Sequence, residues 1–207
     1  GLGDNLRLMK TGPAAIEGAG NWIHFMDRGG VPGAITKPNP GGINGATQTK
    51  ATSGYISFAN PTGGRKKYVG AASIYSNVLS TMALYDVLWH NWSTTGGIAP
   101  TTLTEQAITT PAWPARDNNG ASNGEGVEVW LSNMAVDTTN ASAIANTTLN
   151  YTNSDGVSGR TASLLYSYPA TCQENTMVPF ALAAGDKGVQ SIQGITLGTS
   201  YGAGELS

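Results

Sequence analysis

Charge is what this chain has least of. Only 12% of its 207 residues are Asp, Glu, Lys or Arg, against about 25% in an ordinary soluble domain. With 11 basic and 13 acidic residues, the formal net charge is -2. Such a balance gives no long-range attraction for a phosphate backbone, so direct binding to nucleic acid is not expected. The one tight basic cluster, Arg65-Lys66-Lys67, reads as the solvated edge of a strand or as a contact for an acidic patch on a partner. Few charges also means little repulsion between neighbouring molecules, which suits a surface that partners cover.

Cysteine is nearly absent too. Cys172 stands alone, so a module stapled by internal disulfides is excluded, and the thiol is expected to be a small buried hydrophobe. No run approaches the roughly 20 apolar residues of a membrane-spanning helix. The first residues lack the charged-then-apolar pattern of a secretory signal, so synthesis and assembly in a cytoplasm are expected. Sequons at Asn91, Asn140, Asn146 and Asn150 are what chance supplies in a chain rich in Asn and Thr.

What remains is Gly, Thr, Ser, Asn and Ala, with 28 Gly in all. Strong helix formers are scarce and β-branched residues plentiful, which predicts an all-β protein. Residues 1–65 are interrupted by Thr11-Gly12-Pro13, Gly29-Gly30-Val31-Pro32-Gly33, Lys37-Pro38-Asn39-Pro40-Gly41-Gly42 and Asn60-Pro61-Thr62-Gly63-Gly64. Pro drives its predecessor toward extended conformations and Gly weakens helix and strand alike. Between these breaks lie apolar bursts, Trp22-Ile23-His24-Phe25-Met26 and Tyr55-Ile56-Ser57-Phe58, which a disordered tail would lack. The pattern predicts an extended N-terminal arm that buries aromatic anchors against its own domain or against a neighbouring subunit.

Over 66–207 strand patterns recur: Tyr68 to Ser73, Thr81 to His90, Gly126 to Leu131, Ile144 to Tyr151, Arg160 to Tyr168, Met177 to Ala183 and Ser191 to Leu197. Turn chemistry separates them, as in Asp117-Asn118-Asn119-Gly120, Asn123-Gly124 and Asn153-Ser154-Asp155-Gly156. Short strands so spaced predict an antiparallel β-sandwich of jelly-roll type. Ile98 to Ala115, with three prolines, is expected to be a long loop between sheets.

Catalytic constellations are hard to assemble from these residues. His24, among Trp and Phe, reads as a packing residue. In a strand, Asp86 and His90 share a face but lie about 13 Å apart, too far for one metal or proton relay. Glu125 and Glu128 point to opposite faces of a strand. Asp117 and Asp155 sit in turns, where Asp caps backbone N–H groups. No Gly-x-Ser-x-Gly elbow or phosphate-binding loop is present. The sequence therefore predicts no catalytic residue, no cofactor and no metal.

Tryptophan supplies the remaining candidates. Trp89 and Trp130 fall in expected strands and read as core. Trp92 follows a strand end and Trp113 lies between two prolines; both could anchor an interface, pack in the core or stack on a sugar. With the arm anchors Trp22, Phe25, Tyr55 and Phe58, they form the expected partner-binding set.

The runs Leu84-Tyr85-Asp86-Val87-Leu88-Trp89-His90-Asn91, Pro111-Ala112-Trp113-Pro114-Ala115-Arg116-Asp117 and Asn123-Gly124-Glu125-Gly126-Val127-Glu128-Val129-Trp130 resemble virion structural proteins of tailed phages, including phages of cyanobacteria. Asn150 to Gly156 and Thr196 to Gly204 add to the likeness, which spans about 68–204. The resemblance implies a non-enzymatic particle component, a capsid decoration or cement protein on the outer shell, with the major capsid protein and further copies of itself as partners. A trimer would suit a threefold position on such a shell. A tail tube, a tail adaptor and a tail module binding host glycans are the alternatives.

Overall fold

A computed structural model describes residues 9–10, 20–35, 42–55, 62–63, 81–92 and 96–207. The chain is all-β and antiparallel, as its composition predicts. Its strands are β1 (Met9–Lys10), β2 (Trp22–Ile23), β3 (Gly30–Val31), β4 (Ala46–Thr47), β5 (Trp89–His90), β6 (Gln106–Ala107), β7 (Trp130–Ser132), β8 (Thr148–Asn153), β9 (Arg160–Leu164), β10 (Thr176–Ala181) and β11 (Val189–Thr196). One 3-10 turn, Gly42–Asn44, precedes β4. Among the described residues no helix is long and apolar enough to cross a membrane.

Seven strands form one sheet in the order β2-β10-β9-β8-β11-β6, with β7 also on β10. The longest strands are those whose side chains alternate between two environments. In β8, Leu149, Tyr151 and Asn153 are buried while Thr148, Asn150 and Thr152 are half-buried, the period of two that a pleated strand requires. β10 changes partners along its length. Thr176 to Pro179 pair with β2 and β7, whereas Phe180 and Ala181 pair with β9. Leu131 of β7 therefore faces Leu149, Phe180, Ile192 and Ile195 of the larger part, and together they line an interior space of only about 20 Å³. Around it packs a core that includes Trp113, Tyr151, Tyr168, Val178, Leu197, Tyr201 and Leu206. Cys172 is buried in it, as expected.

Two polar devices hold the loops of this sandwich. Asp117 caps a turn, its carboxylate accepting from the N–H groups of Asn119 (3.1 Å), Ala121 (2.6 Å) and Gly124 (3.0 Å). Burial pushes the Asp117 carboxyl up, but the Ala121, Gly124 and Asn119 bonds outweigh it and hold it below its ordinary value. Gly124 has φ +85° and lies against the Val189 carbonyl, where a Cβ would collide. In the neighbouring turn, Asp186 accepts from Arg160 (2.9 Å), Tyr151 (2.5 Å) and Asn153 (2.7 Å), and the Arg160 and Tyr151 bonds push its pKa down to about 2. Asp155 does not cap its turn as expected. Asn153 does so instead, through Oδ1 to the N–H of Asp155 and of Val157.

Several sequence expectations change. The expected strand from Thr81 to His90 shrinks to Trp89–His90, because β4 offers it only Ala46 and Thr47 as partners. Residues 81–86 are instead exposed. The expected loop from Ile98 to Ala115 contains β6, which pairs with β11. The expected strand Tyr68 to Ser73, the basic cluster at 65–67 and the anchor Phe58 lie outside the described residues, as does the boundary expected near residue 65. Within the first 65 residues β1 pairs with β3, while β2 joins β10 and β4 joins β5 of the remainder.

Candidate interaction surface

The residues just before β10 create the seat for β2. Thr171 and Asn175 are non-glycine residues with positive φ, 46° and 74°, a conformation Asn tolerates better than most. Asn175 is almost wholly buried, with its N–H bonded to the Asn133 carbonyl (2.5 Å) and its carbonyl receiving the N–H of His24 (3.0 Å). Beyond that bond Ile23 pairs with Thr176 and Trp22 with Met177. The arm thus adds to the sheet through backbone hydrogen bonds seated on the positive-φ turn before β10.

A second, smaller core closes the junction. Ile35, Trp92 and Met134 are buried together, with Met26, Tyr55 and Ala135 at their margin. The Ile35 N–H bonds to the Met26 carbonyl (2.9 Å). Trp92 is fully buried, and its indole N–H donates to Glu205 (2.8 Å). Arg28 and Glu174 form an ion pair at 2.9 Å across the seam.

Both histidines of the chain lie here, His24 on the arm and His90 on β5, each buried. His24 Nδ1 accepts from the Met26 N–H (3.4 Å), and His90 Nδ1 accepts from the Trp92 N–H (3.3 Å). An acceptor nitrogen carries no proton, so both rings are held neutral. Burial lowers the pKa of His24 to about 3, with His90 and Arg28 adding to the effect, and burial alone lowers His90 to about 4. Among the described residues no group of three or more His, Cys, Asp or Glu is placed to hold a metal ion.

On the outer side of β10 a different surface forms. Val178 and Phe180 point inward, so Met177 and Pro179 point outward. Met177 pairs with Trp22, Pro179 pairs with Trp130, and the N–H of Leu165 bonds to the Pro179 carbonyl (2.8 Å). The result is an apolar row crossing three strands. Trp130 sits at its centre, with Trp22 edge-on at 6.1 Å and Tyr85 edge-on at 5.7 Å. Leu165 is 62% exposed, Leu84 68% and Tyr85 50%. Outward-facing apolar side chains gathered on one face are the kind of surface that interaction sites use.

The expected partner-binding residues divide accordingly. Trp22 belongs to the outer row. Phe25 and Tyr55 are half-buried on the arm, and the Tyr55 hydroxyl lies 3.7 Å from Met26 Sδ. Trp92 and Trp113 are corrected: neither is available to a partner. Trp92 fills the junction core, and Trp113 lies 4% exposed in the main core, its N–H on the Val189 carbonyl (2.6 Å) and its ring 6.0 Å from Trp89. An indole with its N–H satisfied inside the protein gains most from full burial. Trp130, expected in the core, is the residue that faces outward. Comparison with protein-family models, curated protein sequences and solved structures finds no match to this chain.

Proposed function

We propose that this chain is a non-enzymatic structural component of a tailed-phage particle, a capsid decoration or cement protein that binds the outer shell and further copies of itself. The observation that carries the assembly part of this reading is the outward apolar row of Trp22, Trp130, Tyr85 and Leu165 on a chain with so few charges. Aromatic anchors surrounded by little charge are the composition of a protein interface. The rings meet edge to face, at 75° and 65°, rather than lying coplanar as a platform for sugars would. That geometry favours a protein partner over a host glycan. The virion assignment itself rests on the sequence resemblance.

A cement protein gains from gripping neighbouring capsomers against the outward pressure of packaged DNA. The outer row offers such a grip without disturbing the main core. The test is to mix purified protein with undecorated phage capsids, sediment them and image the pellet by cryo-electron microscopy. Stoichiometric density on the shell, abolished by Trp130→Ala with Leu165→Ser, is the expected result. Protein left in the supernatant would overturn the shell assignment and favour the tail tube or adaptor.

A further inference from the structure

We propose that His24 and His90 act as an acid-operated release for the arm, so that protonating them undocks residues 20–35 while the sandwich stays folded. The inference stands on the junction alone and does not depend on the assembly reading.

Charging either ring in place costs it a hydrogen bond that it now accepts. Each Nδ1 is already an acceptor for a backbone N–H, from Met26 and from Trp92. A proton on Nδ1 replaces that hydrogen bond with a donor facing a donor. The rings also act on each other, and Arg28 adds a third basic group beside His24. The carboxylates packed around the junction are engaged elsewhere: Glu174 by Arg28 and Glu205 by the Trp92 indole. Asp27 acts on Lys10, and Asp86, near Tyr55, is bound by Arg116 at 3.0 Å. With Nδ1 accepting, His24 Nε2 carries the neutral ring's one proton and is buried without a hydrogen-bond partner, so a second proton can go only to Nδ1. Charged imidazolium rings reach water only if the arm leaves.

The direction follows from linkage. A free histidine titrates near 6.5, whereas the docked rings stay neutral down to about 3 for His24 and about 4 for His90. The undocked state therefore binds more protons, and docking is fully stable only above about pH 6.5. Below it, each histidine weakens docking about tenfold per pH unit. Two acting together lower the docking constant on the order of a thousandfold between pH 6.5 and 4.5. In the sandwich, Asp186 holds its charge down to about pH 2, so its bonds to Arg160, Tyr151 and Asn153 persist over that range.

Amide hydrogen exchange of the full chain, corrected for intrinsic rates, reads both regions at once. Residues 20–35 should lose protection between pH 7 and 4.5 while residues 148–196 keep theirs. In His24→Asn with His90→Asn, an amide oxygen takes the place of each Nδ1 as acceptor and cannot titrate, so the arm should stay protected at pH 4.5. Unchanged arm protection in the unaltered protein would overturn the proposal, as would equal loss in the double variant. If that variant fails to fold, ring-proton NMR of the two histidines in the unaltered protein decides instead. Titration well below 6.5, coincident with arm release, supports the proposal; ordinary independent titration near 6.5 overturns it.

Discussion

The main core and the arm junction are built on opposite plans. The main core is large and apolar, and among its polar groups Tyr151 and Asn153 reach Asp186 and Trp113 reaches the Val189 carbonyl. The junction has three fully buried apolar side chains, Ile35, Trp92 and Met134. Beside them lie two neutral histidines, a buried Asn with positive φ and one ion pair. Apolar burial responds little to pH, whereas buried titratable groups tie stability to it. On the proposal above, the attachment should therefore respond to acid before the body does.

The sharpest way to break this contrast is to cut into each core separately. Leu131→Ala empties a site that is 1% exposed in the main core and should lower global stability by about 3 kcal/mol. Chemical denaturation should show it as an earlier midpoint with unchanged slope. Ile35→Ala removes similar volume from the junction and should weaken arm docking by about 2 kcal/mol. Its signature is faster exchange at residues 20–35, with the denaturation midpoint of the sandwich scarcely moved. If both variants lower the same global midpoint equally, the two cores are one cooperative unit and the contrast fails.

Asp186→Asn probes the acid side of the comparison. The Asp186 carboxylate has a lowered pKa, so its stabilisation is present above the ordinary carboxylate range and is lost as pH falls toward about 2. The variant should therefore unfold earlier than the parent at pH 7, and the gap should narrow as pH drops through 4 to 2. Equal midpoints at pH 7 would show that the Arg160–Asp186 pair is dispensable. The smallest effect belongs to Leu165→Ser. The side chain is 62% exposed, so thermal stability should change by no more than about 0.5 kcal/mol. Capsid binding, measured by sedimentation, should nevertheless weaken.

The fold class was legible because its signals are local. The alternation in β8 and the Val, Ile and Phe positions of β10 and β11 fall inside single strands. Turn residues gave the strand spacing but not every role: Asp117 caps as its type suggests, whereas Asn153 displaces Asp155. What alternation cannot give is which face another part of the chain covers. Trp130 and Trp113 both looked like strand or loop aromatics, and only the change of partners along β10 decides which one meets solvent. Phe58 and the strand expected at Tyr68 to Ser73 fall outside the described residues and add nothing to this account. The junction was the least legible part. His24 and His90 are 66 residues apart, and nothing in either segment announces the other. The apolar burst around Trp22 was the one usable signal, and it identified the arm as something that docks.

The change of partners along β10 also has a mechanical consequence. Met177 holds Trp22 on one side and Ser132 on the other, so tension on the arm enters the same strand that joins the two parts of the sheet. The strand contact of the arm is two residues long, short enough to peel away once the small junction core gives, while the strand beneath it is tied to both β7 and β9. Under load the arm should detach as a fuse does, leaving the body behind it intact.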